Sequence, residues 1–174
     1  MNHYVTGNYK ARPPTRLSDE LYGQVLDAVV KGCVDVLLVH ESNVLIAQRN
    51  VEPQPGEWFI GGRMFPGETP EEAAVRHVFK DLKLLLQCSS FKYLKTASYV
   101  WGRRKQAPQD NGTADVALIF YANLDDAEAK SVHVSNAEEY NGLSWQPLHA
   151  AVGNTKYHPA LHDALVALRA ALSL

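Results

Sequence analysis

GGRMFPGETPEEAAVRHVFKDLKL, residues 61–84, carries more structural information than any other stretch of the chain. Gly61, Gly62 and Gly67 permit backbone conformations that residues with side chains resist, so the first half reads as a tight loop. The second half reads as a helix. Thr69 is a good N-cap, Pro70 suits the first helical position, and Glu72 completes a Thr-x-x-Glu capping box. Val75, Val78, Phe79 and Leu82 are expected to form its buried stripe, which leaves His77, Lys80, Asp81 and Leu84 on another face. His77 and Asp81 then stand one turn apart. Glu68 at the end of the loop and Arg76 two turns on are placed to tie loop to helix as an ion pair.

On either side, the hydrophobic pattern alternates between strand and helix. VDVLLVH (34–40) and NVLIAQRN (43–50) are apolar, β-branched runs with a short polar turn between them, which predicts a hairpin. FKYLKTASYVW (91–101) and ADVALIFYANL (114–124) are two further strands, joined by the long basic loop GRRKQAPQDNGT. That loop, with Arg103, Arg104 and Lys105, reads as solvated, with contact to phosphate or a guanine carbonyl as the alternative. Upstream, Ser18 caps the helix of LSDELYGQVLDAVV, where Leu17, Leu21, Val25 and Val29 recur at helical spacing and Gly32 closes the element. LSWQPL leads into a short helix. HPALHDALVALRAAL predicts an amphipathic helix with Leu161, Leu165, Leu168 and Leu172 on one stripe. The expected architecture is α/β, a mixed β-sheet sandwiched between α-helices. Residues 1–16, polar and bearing Pro13-Pro14, are expected as an extended arm before a single domain over 17–174.

Composition narrows the partners. The chain has 174 residues, 46% hydrophobic and 21% charged, with a formal net charge of -2. That balance gives no whole-protein attraction to nucleic acid or to an anionic membrane, so an anionic ligand must be held by a local cluster. No stretch approaches the roughly 18 apolar residues of a membrane span, and no signal-peptide core opens the chain. Cys33 and Cys88 sit in separate apolar stretches and are expected as buried free thiols, in keeping with a cytoplasmic protein.

The pattern within 61–84 resembles the Nudix box, G-x5-E-x7-R-E-U-x-E-E-x-G-U, in which U is a large aliphatic residue. Gly62, Glu68 and Arg76 hold the spacing, and Val78 and Leu84 fill both U positions. LIAQRNVEPQPGEWFIGGR has the layout that precedes the box, and YNGLSWQPL resembles the family's tryptophan-bearing strand. In all, roughly residues 33–170 can be laid against the family. The resemblance implies the Nudix fold, hydrolysis of a nucleoside diphosphate joined to another group, and Mg2+ (or Mn2+) as cofactor. The departures lie on the helix: His77, Lys80 and Asp81 replace three glutamates, and Lys83 replaces the late glycine. The metal should therefore be held by fewer carboxylates than usual.

That loss is similar to the GDP-mannose mannosyl hydrolase branch, which keeps one carboxylate at the position of Asp81. The resemblance implies a nucleotide-sugar substrate, with water attacking the anomeric carbon and the nucleoside diphosphate leaving. Carried over, it makes Gly61, Asp81 and Glu139 the metal ligands, Asp35 the acid near the sugar, and Arg63 and Arg49 the diphosphate-binding arginines. Arg63 also counts as catalytic, since it neutralises charge on the leaving group. Tyr140 stands where the branch has its histidine base, and an ordinary tyrosine is a poor base at neutral pH. Glu138 or Glu139 could serve instead, with His133 a more distant option. His77 could join Asp81 as a nitrogen ligand, although a half-exposed helix histidine is the commoner reading. Asp81, read as an exposed helix acid, is expected to contribute little to folding. Two other readings stand beside this one: attack at phosphorus of another nucleoside diphosphate derivative, and a catalytically impaired nucleotide-binding protein. The related enzymes' habit extends to a homodimer as an expected assembly.

Overall fold

The computed structural model describes residues 3–10 and 17–173. Its elements are α1 (Asp19–Ala28), β1 (Lys31–His40), β2 (Asn43–Arg49), β3 (Gly56–Trp58), β4 (Ile60–Arg63), α2 (Pro70–Leu82), β5 (Lys92–Trp101), β6 (Thr113–Asn123), α3 (Asp126–Ser131), β7 (Tyr140–Pro147), α4 (Leu148–Gly153) and α5 (Pro159–Ala171). Of the arm expected over 1–16, residues 1–2 and 11–16 lie outside the described residues. Residues 3–10 form neither helix nor strand and are exposed. Among the described residues, no helix is long and apolar enough to cross a membrane.

The seven strands form one mixed sheet, the α/β architecture that the sequence predicts. β1 is its axis. Along one edge it pairs in parallel with β6, and β6 pairs antiparallel with β5. On the other edge β1 and β2 pair only beside their turn, at Val39↔Val44 and His40↔Asn43, and then diverge. β4 takes up the free edge of β1 (Cys33↔Arg63 to Val36↔Ile60) while β3 takes up that of β2 (Ala47↔Trp58 to Arg49↔Gly56). β7 covers the outer edge of β2. Residues from both diverging arms line the main cleft.

Both faces of the sheet are covered, which is why β1 reads as an almost unbroken apolar run rather than an alternation. Val34, Val36 and Leu38 pack beneath α2 with Ile60, Ala73, Ala74, Val78 and Leu82. Cys33, Leu37 and Val39 pack on the opposite side with Trp58, Ile119 and the α4–α5 pair, including Leu161, Leu165 and Leu168. The α5 stripe is thus as expected for these three leucines.

Two helical stripes differ from expectation. In α1 the buried residues are Gly23 and Leu26, whereas Leu21 and Val29 are about half exposed, and the helix stops at Ala28 so that Gly32 belongs to β1. In α2 the buried face is Pro70, Ala73, Ala74, His77, Val78, Asp81 and Leu82, while Phe79 is 46% exposed. The two small alanines allow α2 to lie close to the sheet, and this rolls His77 and Asp81 inward. Cys88 is exposed, on the short 3-10 turn after α2, and only Cys33 is buried.

Candidate active site

The box residues form a closed clasp between the glycine loop and α2. Arg76 donates from Nε to Glu68 Oε1 (2.5 Å) and from Nη2 to Glu68 Oε2 (2.8 Å). The same Nη2 reaches the Arg63 carbonyl at 2.9 Å, and the backbone N–H of Phe65 donates to Glu68 Oε2 at 2.7 Å. Burial alone would raise the Glu68 carboxyl, but Arg76 and the Phe65 N–H outweigh it and hold the carboxyl below its usual range. The capping box of Thr69 and Glu72 is present, so the start of α2 is fixed immediately beside the clasp.

Gly61 and Gly62 belong to β4, paired with β1, rather than to the loop expected of them, and two backbone approaches there require glycine. A Cβ on Gly61 would meet the Val34 carbonyl oxygen at 2.2 Å, and one on Gly62 (φ 149°) would meet His77 Cε1 at 2.8 Å. The ring of His77 therefore fits only because Gly62 has no side chain. Its Nε2 lies 3.1 Å from the Arg63 carbonyl oxygen, which can only accept, so the proton sits on Nε2 and Nδ1 carries a lone pair. Burial, with Arg76 nearby, holds the ring down to about 4, so it is neutral at physiological pH.

Asp81 is fully buried, not exposed as the helical pattern suggested. Burial raises its carboxyl, against the stabilising contacts of Asn136 and Lys80. Asn136 Nδ2 donates to Oδ1 at 2.8 Å and Lys80 Nζ stands 3.2 Å from the same oxygen. The other oxygen, Oδ2, has no hydrogen-bond partner, nor has His77 Nδ1, and these two buried acceptors lie 3.9 Å apart. An unpaired buried acceptor costs about 1–3 kcal/mol, so a facing pair of them calls for a cation or a shared proton.

One cleft of about 750 Å³ collects Asp35, Arg49, Gly61, Gly62, Arg63, Arg76, His77, Lys80, Glu138 and Glu139. Asp81 is not in its wall; it lies behind His77, Lys80 and Asn136, all three of which are. Arg49 Nη2 donates to Glu139 Oε1 at 3.0 Å, and Lys80 Nζ approaches Glu139 Oε2 at 3.4 Å. Burial would raise the Glu139 carboxyl, but Arg49 and Lys80 outweigh it and depress it, a poor setting for a base. Tyr140 is buried, and its hydroxyl, pushed well above the tyrosine range chiefly by burial, sits between the Gly61 N–H and the Phe59 carbonyl. Among the described residues, the group of three metal-binding side chains already converged on one point is His40, Glu41 and Asp126, at the far end of β1.

The inner end of the cleft is aromatic and acidic. Trp58 packs edge to face on Tyr99 and Trp101, which are tilted against each other, with centroids 5.3–5.7 Å apart. Asp35 projects between them and the glycine loop and accepts from the Tyr99 hydroxyl at 3.2 Å. Burial lifts its carboxyl to about 7, partly opposed by Tyr99 and Arg49. Asp115, paired with Lys31 at 2.8 Å, also accepts from Trp101 Nε1. Arg63 lies over the Tyr22 ring, 4.9 Å to the centroid. The basic loop is not uniformly solvated: Arg104 is 1% exposed and donates from Nη1 to Asp27 at 2.6 Å and to the Gly112 carbonyl. It anchors the loop to α1.

Sequence reading missed Lys80, Tyr99 and Asn136 as parts of the site. Tyr99 had a signal, since it alternates with Trp101 on one face of β5. Asn136 had none, because its contact with Asp81 spans 55 residues.

The family model described as NUDIX domain matches residues 31–168. The low-salt glycan biosynthesis protein Agl8 of Haloferax volcanii is 36% identical over 76 residues, 43% of this chain and 49% of that protein. The chain thus spans about half the length of the curated relative it matches. Among solved structures, the MutT NUDIX hydrolase of Burkholderia pseudomallei superposes with a TM-score of 0.63 at 20% identity, covering 79% of this chain and 97% of that one. The NUDIX domain of Shewanella oneidensis NrtR, complexed with ADP ribose, gives 0.62 at 17% identity, covering 83% and 89%. At these identities the structural likeness concerns the fold.

Proposed function

Because this chain belongs to the NUDIX domain family, we propose that it is a metal-dependent hydrolase of a nucleoside diphosphate sugar, GDP-mannose-like, releasing nucleoside diphosphate and sugar. The observation that carries this reading is a cleft in which Arg49 and Arg63 stand beside Gly61 and Gly62, with an acid of raised pKa, Asp35, on its inner wall. Agl8, whose name places it in glycan biosynthesis, is in keeping with a sugar-bearing substrate.

The donor set fits a divalent ion. His77 Nδ1 and Asp81 Oδ2 are buried acceptors without partners, and the Gly61 backbone and Glu139 border the cleft that His77 lines and Asp81 stands behind. When bound, the ion would neutralise charge on the diphosphate. The rest falls to the chain's own groups. Arg63 holds the phosphate oxygens through paired N–H donors, Arg49 adds Nη1 while its Nε and Nη2 stay on Glu139, and both stabilise the negative charge that grows as the diphosphate departs. Asp35, titrating near neutrality, takes the proton of the attacking water, a better match to that task than Glu139, whose oxygens are occupied by Arg49 and Lys80. Glu138 lies exposed on the rim. Trp58 and Tyr99 restrict water around Asp35.

Hydrolysis of GDP-mannose in 18O-labelled water, with Mg2+ or Mn2+, tests the reading. Label in the free sugar, with unlabelled GDP, is the expected result. Label in phosphate, with GMP and a sugar phosphate as products, would move the attack to phosphorus. Binding of nucleotide sugars without turnover would make the protein a nucleotide-binding module.

A further inference from the structure

Resting on the reading that Asp81 holds the metal, we propose that His77 and Asp81 form a nitrogen–oxygen pair that selects an imidazole-accepting ion of the zinc or cobalt class over magnesium. Both side chains are at least nine-tenths buried, at 5% and 0% exposure. His77 Nδ1 and Asp81 Oδ2 have no other partner and lie 3.9 Å apart. Bonds of roughly 2.0–2.2 Å to histidine nitrogen and carboxylate oxygen let one ion span that gap, and a small side-chain rotation brings the angle toward tetrahedral.

The orientation is built in on both sides. The Nε2–H of His77 is spent on the Arg63 carbonyl, at 3.1 Å, which fixes the tautomer and turns the Nδ1 lone pair toward Asp81. Outer contacts of this kind orient metal-ligating histidines. Gly62 makes room for the ring, since a Cβ there would stand 2.8 Å from Cε1. Asn136 and Lys80 hold Asp81 Oδ1, leaving Oδ2 for the ion. His77 and Asp81 are four residues apart on α2, the spacing that brings two side chains to one side of a helix. Magnesium favours an all-oxygen octahedral shell and gains little from imidazole, whereas zinc and cobalt accept it readily.

The experiment titrates the metal-free full chain separately with Co2+, by its visible d–d absorption, and with Mg2+, by calorimetry. Wild type is compared with His77→Gln and Asp81→Asn, each checked for folding by thermal melting. Wild type is expected to bind Co2+ at least tenfold more tightly than Mg2+. His77→Gln is expected to weaken Co2+ at least tenfold with Mg2+ unchanged, and Asp81→Asn to weaken both. Equal Co2+ affinity in wild type and His77→Gln overturns the inference; if Asp81→Asn still weakens both ions, the metal reading of Asp81 survives that result. No divalent binding to wild type overturns both. Should His77→Gln fail to fold, 15N spectra of wild-type histidines decide. A His77 Nδ1 shift with Zn2+ but not Mg2+ is expected, and no shift with Zn2+ overturns the inference.

Discussion

Asp35 and His77 show opposite costs of burying an ionisable side chain. The Asp35 carboxyl is lifted to about 7, so between about pH 4 and 7 the folded chain keeps a proton that the unfolded chain has released. Its contribution to stability is therefore present at about pH 4 and lost as pH rises to 7. His77, held down to about 4, stays neutral in the fold while the unfolded chain protonates below about 6.5. Its contribution is lost as pH falls from 6.5 to 4. At one pKa unit per 1.36 kcal/mol, the Asp35 penalty above pH 7 is about 4 kcal/mol as an upper bound. Asp35→Asn keeps an acceptor for the Tyr99 hydroxyl and removes the charge. It is expected to raise Tm at pH 8 by the equivalent of about 2–4 kcal/mol, with the gain vanishing near pH 4, while hydrolysis is lost. Thermal melts across pH 4–9 check it, and a flat difference between the two proteins would remove Asp35 as the titrating group. The candidate acid was legible in the sequence, as a carboxylate within an apolar strand that needs a partner or a ligand. Its partner Tyr99 was not, because register between β5 and β6 sets which β5 side chain reaches β1. Asp81 was placed on the helix correctly but on the wrong side of its surface. Asp81→Ala should therefore cost about 1–3 kcal/mol, through the Asn136 amide it leaves unpaired, as denaturant titration would measure.

Among the elements, α2 was the most legible and also the most instructive in its error. Its start is local chemistry, and the Thr69–Glu72 box appears as the spacing predicted. Its buried face differs from the expected stripe because small residues pack as well as large ones against the sheet. Ala73 and Ala74 permit close packing on the sheet, and Phe79 is left outside. The end of the helix departs from the family's pattern in a way the backbone makes costly. Lys83 is the C-cap with φ 55° and ψ 18°, in the left-handed region where the family's glycine would be at ease. A side chain there costs about 1 kcal/mol. Lys83→Gly is expected to stabilise the fold by about 0.5–1 kcal/mol, less the weak contact of its ammonium with the Phe79 ring at 5.1 Å. The change lies outside the cleft wall, so turnover should not move; a fall in Tm would show that Lys83 contributes something that the backbone does not reveal.

For the whole molecule, the composition gives no global attraction to anions, and the structure gathers basic side chains around one cleft. β1 and β2 share only two register pairs before they diverge, and the Arg49 end of β2 and the Arg63 end of β4 border one cleft. Neither residue announces this alone; the convergence is a property of topology, which is why it was legible only through the resemblance. In the cleft wall itself Lys31, Arg49, Arg63, Arg76, Lys80, Arg104 and Lys105 outnumber the carboxylates Asp35, Glu52, Asp115, Glu138 and Glu139, although Arg76 and Arg104 are matched by Glu68 and Asp27 just outside it, in a chain whose formal net charge is -2. Asp35 is only partly ionised near pH 7, which tips the balance further toward positive charge. A recessed, low-dielectric cleft focuses that field on an incoming diphosphate, whereas the outer surface repels it weakly. Raising NaCl from 50 to 500 mM shortens the screening length from roughly 14 to 4 Å. The rate at low substrate, kcat/KM, should then fall about 3–10-fold, with kcat changing much less, because screening acts on encounter and binding rather than on groups already in contact. Initial rates over that salt range, at fixed metal concentration, measure it. An unchanged kcat/KM would mean that the cleft's basic residues are neutralised by their own ion pairs, as Arg49 is by Glu139 and Arg76 by Glu68, and that the substrate is held by other groups.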